Sequence, residues 1–180
     1  MRPVHTQFHR HSAKQGGAIL ITSMLLLLVL TIIGVTVMQM SRMQERMAGN
    51  TRDSNLAFQA AEGALRGAES FIRQQAIRPV ACASGPCEVW VEDSIAATTA
   101  NQAETWWDTN GQTYGQAAMT GLREPPASVI EELGFVRTDG GVVMGQDPPD
   151  GRDFYQVTSR STGGSGQAEI VLQTTYTRKF

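Results

Sequence analysis

The run from Ala18 to Met40, AILITSMLLLLVLTIIGVTVMQM, holds no charged residue over 23 positions and constrains what the rest of the chain can be. At 1.5 Å rise per residue a helix of that length reaches roughly 35 Å, enough to cross a hydrocarbon layer of about 30 Å. The apolar stretch of a cleaved secretory signal is about 7–15 residues and ends at a small-x-small site. Here the run is longer, and Val37-Met38-Gln39-Met40-Ser41 offers no such site. The segment therefore reads as a retained membrane-spanning helix. Charged residues make up 18% of the 180-residue chain and none lies in this run, so the remainder is polar and long enough for one domain. The net charge of −2 gives no ground for a nucleic-acid partner.

Flanking charge does not orient the span. Arg2, Arg10 and Lys14 precede it, and Arg42, Arg46 and Arg52 follow it at comparable distance, three against three. The cysteines are more informative. Cys82 and Cys87 are the only two, and they bracket the turn-forming Ala83-Ser84-Gly85-Pro86. An even pair around a short loop suggests a disulfide, which needs an oxidising compartment and places the C-terminal part outside the cytoplasm. Free thiols or half of a metal site are the alternatives. His5, His9 and His11 cluster in the leader, but no leader Cys or acid completes a metal set, so they read as leader polarity.

Ahead of the apolar run stands Lys14-Gln15-Gly16-Gly17-Ala18-Ile19. A basic leader, a glycine and a small residue opening an apolar helix form the arrangement that prepilin peptidase cuts. Its cut lies before the apolar segment, whereas signal peptidase cuts after it. Taken alone, Gly17-Ala18 is equally a flexible turn before a helix.

Beyond the span come Gln44-Glu45-Arg46-Met47-Ala48-Gly49-Asn50, then Arg52-Asp53, then Asn55-Leu56-Ala57-Phe58-Gln59-Ala60-Ala61-Glu62. With Gln15-Gly16-Gly17-Ala18, and with Tyr155–Arg160 and Ala168–Gln173 near the C-terminus, these residues resemble the PilX family of type IV pilus minor pilins. The resemblance implies an α+β, pilin-like fold. It implies cleavage between Gly17 and Ala18 and N-methylation of the new terminus, Ala18. The partners it implies are other minor pilins, the major pilin, the prepilin peptidase, an inner-membrane assembly platform and a tip adhesin, with membrane lipid around the helix before assembly. The location implied is the inner membrane, with the head in the periplasm, and then the pilus. Major pilins carry Glu at the fifth mature position, where it neutralises a neighbour's terminal amine; here that position is Thr22. A hydroxyl cannot supply that charge, but it also avoids the cost of a buried unpaired carboxylate. A subunit at the tip has no neighbour above it to neutralise, so Thr22 points to a tip position and a role in starting assembly. Tolerance of Thr22 anywhere in a short pseudopilus is the plainer alternative.

The expected organisation is a cytoplasmic leader over 1–17, a membrane and pilus-core helix over 18–40, an amphipathic helix over 41–78 stopped by Pro79, and a β-rich head over 79–180. Within the second helix Ser54, Phe58, Ala61, Leu65, Ala68 and Phe71/Ile72 recur at steps of three and four and mark one face. Small residues at Ala57, Ala60, Ala61, Ala64 and Ala68 would let a sheet approach closely. Opposite lie Gln59, Glu62, Arg66, Glu69 and Arg73, with Glu62–Arg66 and Glu69–Arg73 in the favourable i, i+4 order. Gly34 and Gly49 are weak points at which the helix could bend on assembly.

In the head, Val89–Val91, Phe135–Met144, Phe154–Ser159 and Ala168–Tyr176 read as strands. In the last, Ala168, Ile170, Leu172 and Tyr176 share one phase and Glu169, Gln173 and Thr175 the other, as in a sheet with one buried face. Thr162-Gly163-Gly164-Ser165-Gly166 reads as a hairpin loop. Asp139, Asp147, Asp150 and Asp153 are oxygen donors near a Gly/Pro-rich loop, but their spacing matches no EF-hand, and no metal or cofactor is assigned. On a strand, Trp106 and Trp107 would face opposite ways, one into the core and one outward. With every histidine in the leader and no phosphate-binding glycine loop, no catalytic set exists and no enzyme is expected. The competing readings are a minor pseudopilin of a type II secretion system and a bitopic receptor whose head binds an external partner.

Overall fold

A computed structural model describes residues 17–95, 98–114, 119–137 and 151–180. The chain divides into two compact units, Met1–Met47 and Ala48–Phe180. A single helix, α1, covers Ala18–Gln74 and so contributes to both. It runs through Gly34 and Gly49, and at each a Cβ would meet nothing within 4 Å.

In the first unit every described residue is exposed, including the long apolar series from Ile19 to Met47. Among the described residues this is the one helix long and apolar enough to cross a membrane, and none of its apolar window is buried by the protein. Its hydroxyls bond back to the helix itself. Thr22, Ser23, Thr31 and Thr36 each donate to the carbonyl three residues earlier, at 3.0, 2.9, 2.7 and 2.8 Å. From Ala18 to Met38 the hydroxyls are thus satisfied within the helix, as hydrocarbon surroundings require.

The second unit is one sheet with the last turns of α1 on one face. The strands are β1 (Trp90–Val91), β2 (Ala127–Arg137), β3 (Gly151–Thr162) and β4 (Glu169–Arg178), in the order β1-β2-β3-β4. β2, β3 and β4 form an antiparallel meander, and β1 lies parallel to β2. The fold is α+β and pilin-like. Ala57, Ala60, Ala61, Ala64, Ala68 and Ile72 are fully buried, and Ala68 and Ile72 form a core with Val89, Tyr114, Ile130, Tyr155 and Val157. Alanine has the smallest side chain that still favours a helix, so this stripe lets the helix lie close on the sheet. The other sheet face carries a second cluster of Cys87, Trp90, Trp107 and Val129.

Several expectations need correction. The expected alanines are buried, and of the larger residues in the predicted stripe Ile72 is buried while Leu65 and Phe71 are half-buried against the core. Ser54 and Phe58, expected on that stripe, are exposed, since the buried face runs through Ala57, Ala60, Ala61 and Ala64 beside them. Glu62 and Arg66 form their ion pair; a Glu69–Arg73 pair is not among the salt bridges of the described residues. Helix α1 ends at Gln74, four residues short of Arg78. Ile72 is its last core residue, and its carbonyl accepts from the Gln75 amide and from the Arg178 side chain. Beyond it Ile77 and Val80 are exposed, so a further turn would have nothing to bury.

The strand expected at Phe135–Met144 begins eight residues earlier, at Ala127. Residues 138–144 of that expectation lie outside the described residues. Trp106 and Trp107 are not on a strand but in a short helix, α2 (Glu104–Asn110). Trp107 is buried, and the half-buried Trp106 packs beside it (ring centroids 5.6 Å apart, edge-on) and beside Trp90 at 5.9 Å. The phase expected for β4 holds: Ile170, Leu172 and Tyr176 are half-buried, while Glu169, Gln173 and Thr175 are exposed.

Candidate processing site and assembly surface

Gly17 is an exposed bend and Ala18 the first helical residue, so the Gly17–Ala18 bond lies where irregular backbone meets α1. A protease needs an extended substrate, and a peptide bond at a helix start is easier to open than one within it. Thr22 is exposed one turn further on, and its hydroxyl is occupied by the Ile19 carbonyl. The side chain at this position is therefore neutral and internally satisfied.

Cys82 and Cys87 are joined in a disulfide, with Cα atoms 6.0 Å apart. The Cys82 amide donates to the Val89 carbonyl at 3.0 Å, and the Val91 amide donates to the Cys82 carbonyl at 3.1 Å. The closed loop is thus pinned to β1, and Cys87 is buried against Trp90, Trp107 and Val129.

Besides the alanine stripe, the helix segment that carries the PilX-like block is tied to the β3–β4 loop by Asp53, a residue of that block to which sequence reading assigns no structural role. Asp53 accepts a hydrogen bond from the Ser165 amide at 3.1 Å and another from the Ser165 hydroxyl. These bonds, the hydroxyl's foremost, hold the Asp53 carboxyl below the usual carboxylate range. The loop comes close enough that a Cβ on Gly163 would stand 2.5 Å from the Asp53 carboxyl carbon, and one on Gly164 2.5 Å from the Gly121 carbonyl. This explains the glycines of the β3–β4 loop. The available signal was an aspartate, a poor helix former, in the middle of a helical pattern. Beside it, Ala48, Gly49, Arg52, Asn55, Leu56 and Gln59 line an open cavity of about 820 Å³ together with Thr120 and Gly121.

Elsewhere the head buries several polar groups in pairs. Glu131 accepts from the Thr99 hydroxyl at 2.7 Å and from the Gln156 amide at 3.3 Å. The Arg160 guanidinium donates to Glu169 at 2.6 Å. Asp153 is buried with its carboxylate 3.3 Å from the Arg78 guanidinium, which also pairs with Glu132. Asp139, Asp147 and Asp150 lie outside the described residues, so the acidic loop is represented by Asp153 alone. Burial pushes the Tyr114 hydroxyl well above its usual range, and it donates to the Glu88 carbonyl at 2.7 Å as a structural bond. Among the described residues no three His, Cys, Asp or Glu side chains are placed to hold a metal ion.

An exposed apolar helix whose continuation backs a mostly antiparallel sheet defines a pilin-like fold and fits a membrane-anchored pilin. Comparison with known families narrows this further. The PilX N-terminal family matches residues 15–66, and the C-terminal family of the type IV pilus assembly protein PilX matches residues 50–178. The chain belongs to the PilX family, a structural family of type IV pilus minor pilins. No curated protein and no solved structure matches it.

Proposed function

We propose that this minor pilin is cut between Gly17 and Ala18, N-methylated on Ala18, and held in the inner membrane by the apolar half of α1. Its head lies in the periplasm until the subunit enters a pilus, at or near the tip, where it helps to start assembly. The observation that carries this reading is the surface of Ala18–Met40. It is apolar and exposed throughout, and four of its hydroxyls are closed onto their own helix. A surface like that is stable against lipid and, after assembly, against the apolar helices of other pilins. The disulfide supports a periplasmic head, because such bonds persist in oxidising compartments. Thr22 supports the tip position, since its hydroxyl is neutral and already satisfied. The partners that follow are the prepilin peptidase, the assembly platform, the major pilin, other minor pilins and a tip adhesin.

Two experiments test the parts separately. In cells lacking the prepilin peptidase the chain should keep its 17-residue leader; an identical mass with and without the peptidase removes the processing step. Thr22→Glu should displace the subunit from the tip or lower piliation. If neither changes, Thr22 carries no positional information.

A further inference from the structure

The two edges of the sheet are built differently. The β1 edge is two residues long and is guarded by the disulfide loop, which bridges to it through Cys82 and Trp90. The β4 edge is ten residues long and pairs with β3 over ten successive positions, from Thr162–Glu169 to Asp153–Arg178, without a bulge. Among the described residues no strand lies on its other side. Sheet edges are normally protected by brevity, proline, bulges or charge. β4 has no proline or lysine, and its charged residues stand at its ends. Both are engaged inward, Glu169 by Arg160 and Arg178 by the Ile72 carbonyl.

The register shows which backbone groups are free. The Gly163 amide donates to the Ala168 carbonyl, so even-numbered residues of β4 point their backbone groups at β3. Ser128, opposite Ser159, bonds away from β3 to Gln112, which gives β3 the same parity. Glu169, Val171, Gln173, Thr175 and Thr177 therefore present their amides and carbonyls outward, and each is exposed or half-exposed. The side chains alongside form two rows. Ile170, Leu172 and Tyr176 lie half-buried on the α1 face, and Glu169, Gln173 and Thr175 lie exposed on the other.

We propose that the β4 edge is a docking strip for an extended segment of a different membrane-anchored pilin, which adds to the sheet as a fifth strand. The backbone row specifies an extended polypeptide, and the side-chain rows specify one that alternates apolar residues on the α1 face with polar residues on the other. A second copy of this chain does not fit. Antiparallel self-pairing places a two-fold axis perpendicular to the sheet, which would point the two packed α1 helices in opposite directions, against anchoring in one membrane. Head-to-tail pairing would need a matching opposite edge, and β1 offers two residues behind a disulfide loop. The proposal rests on the pilin reading for the presence of a companion subunit.

The test uses the full-length chain in cells that assemble pili, with a benzophenone photocrosslinking residue replacing Gln173 and, as a control, Glu92 beside the β1 edge. The Gln173 position should crosslink to an alternating apolar–polar segment of another pilin, identified by peptide mass spectrometry, and the Glu92 position should not. Thr175→Pro removes one outward amide and leaves the β3 ladder intact, so it should lower the yield roughly tenfold, while Thr175→Val should not. Val171→Pro against Val171→Thr repeats the comparison should Thr175→Pro fail to fold. Equal yield from the proline and valine variants, a crosslink to a second copy, or no crosslink from a chain that is found N-methylated and piliated would overturn the proposal. In that last case the pilin reading would survive.

Discussion

The two halves of α1 share one backbone geometry and obey opposite rules of composition. From Ala18 to Met47 the helix carries leucine, isoleucine, valine and methionine in abundance and buries none of them. From Ala57 to Ile72 it buries five alanines and one isoleucine and leaves its phenylalanine at position 58 exposed. The difference lies in what supplies the contact. A helix whose neighbours are lipid tails or other helices needs apolar surface on every side, whereas a helix seated on its own sheet needs only a narrow apolar stripe, here of small residues that let the sheet come near. Bulk is thus dispensable to head stability in the first half, and smallness is essential to it in the second.

The strongest way to break this comparison is to remove the isoleucine that closes the head core. Ile72→Ala should cost about 2–5 kcal/mol in denaturant unfolding of the full chain in detergent, while Leu27→Ala should leave head unfolding unchanged. Next in size, Ala64→Leu adds bulk where α1 meets the sheet and should cost about 1–3 kcal/mol by the same measurement. Reducing Cys82–Cys87 reopens a short loop and should cost about 2 kcal/mol, read as a lower urea midpoint with reductant present. A smaller effect concerns the Asp53 staple. Its carboxyl is held below the usual value near 3.9, so its stabilisation is complete above that pH and fades as pH falls through the lower folded value. Asp53→Asn should therefore melt earlier than the parent at neutral pH, and the two should converge in acid. Smallest of all, Phe58→Ser should change stability by less than about 0.5 kcal/mol, so any assembly defect it causes would mark Phe58 as a contact between subunits.

Much of this was legible in the chain because the features were local. The apolar run, the alanine stripe, the β4 alternation and the close cysteine pair are each contained in a short window. What was not legible depended on distant partners. β2 was placed too late because Glu131 and Glu132 break its apolar alternation; Glu131 is satisfied by Thr99 and Gln156, and Glu132 pairs with Arg78. Gly134, at φ 113°, takes up a bulge that shifts the phase of the strand midway. The end of α1 at Gln74, ahead of Pro79, coincides with the loss of core contacts after Ile72, whose carbonyl accepts from Arg178, 106 residues away in sequence. The opposite facing considered for Trp106 and Trp107 on a strand does not apply in α2, where Trp107 joins Trp90 in one cluster on the sheet face away from α1 and Trp106 packs against it. Asp53 could not be recognised as a staple without the loop that descends on it.

The central claim is that Ala18 begins the mature chain and opens the helix that carries the subunit from membrane to pilus. Mass spectrometry of the N-terminal peptide from the assembled fraction tests it most directly. The expected species starts at N-methylated Ala18. A peptide still beginning at Met1, or one cut after Met40, would contradict it.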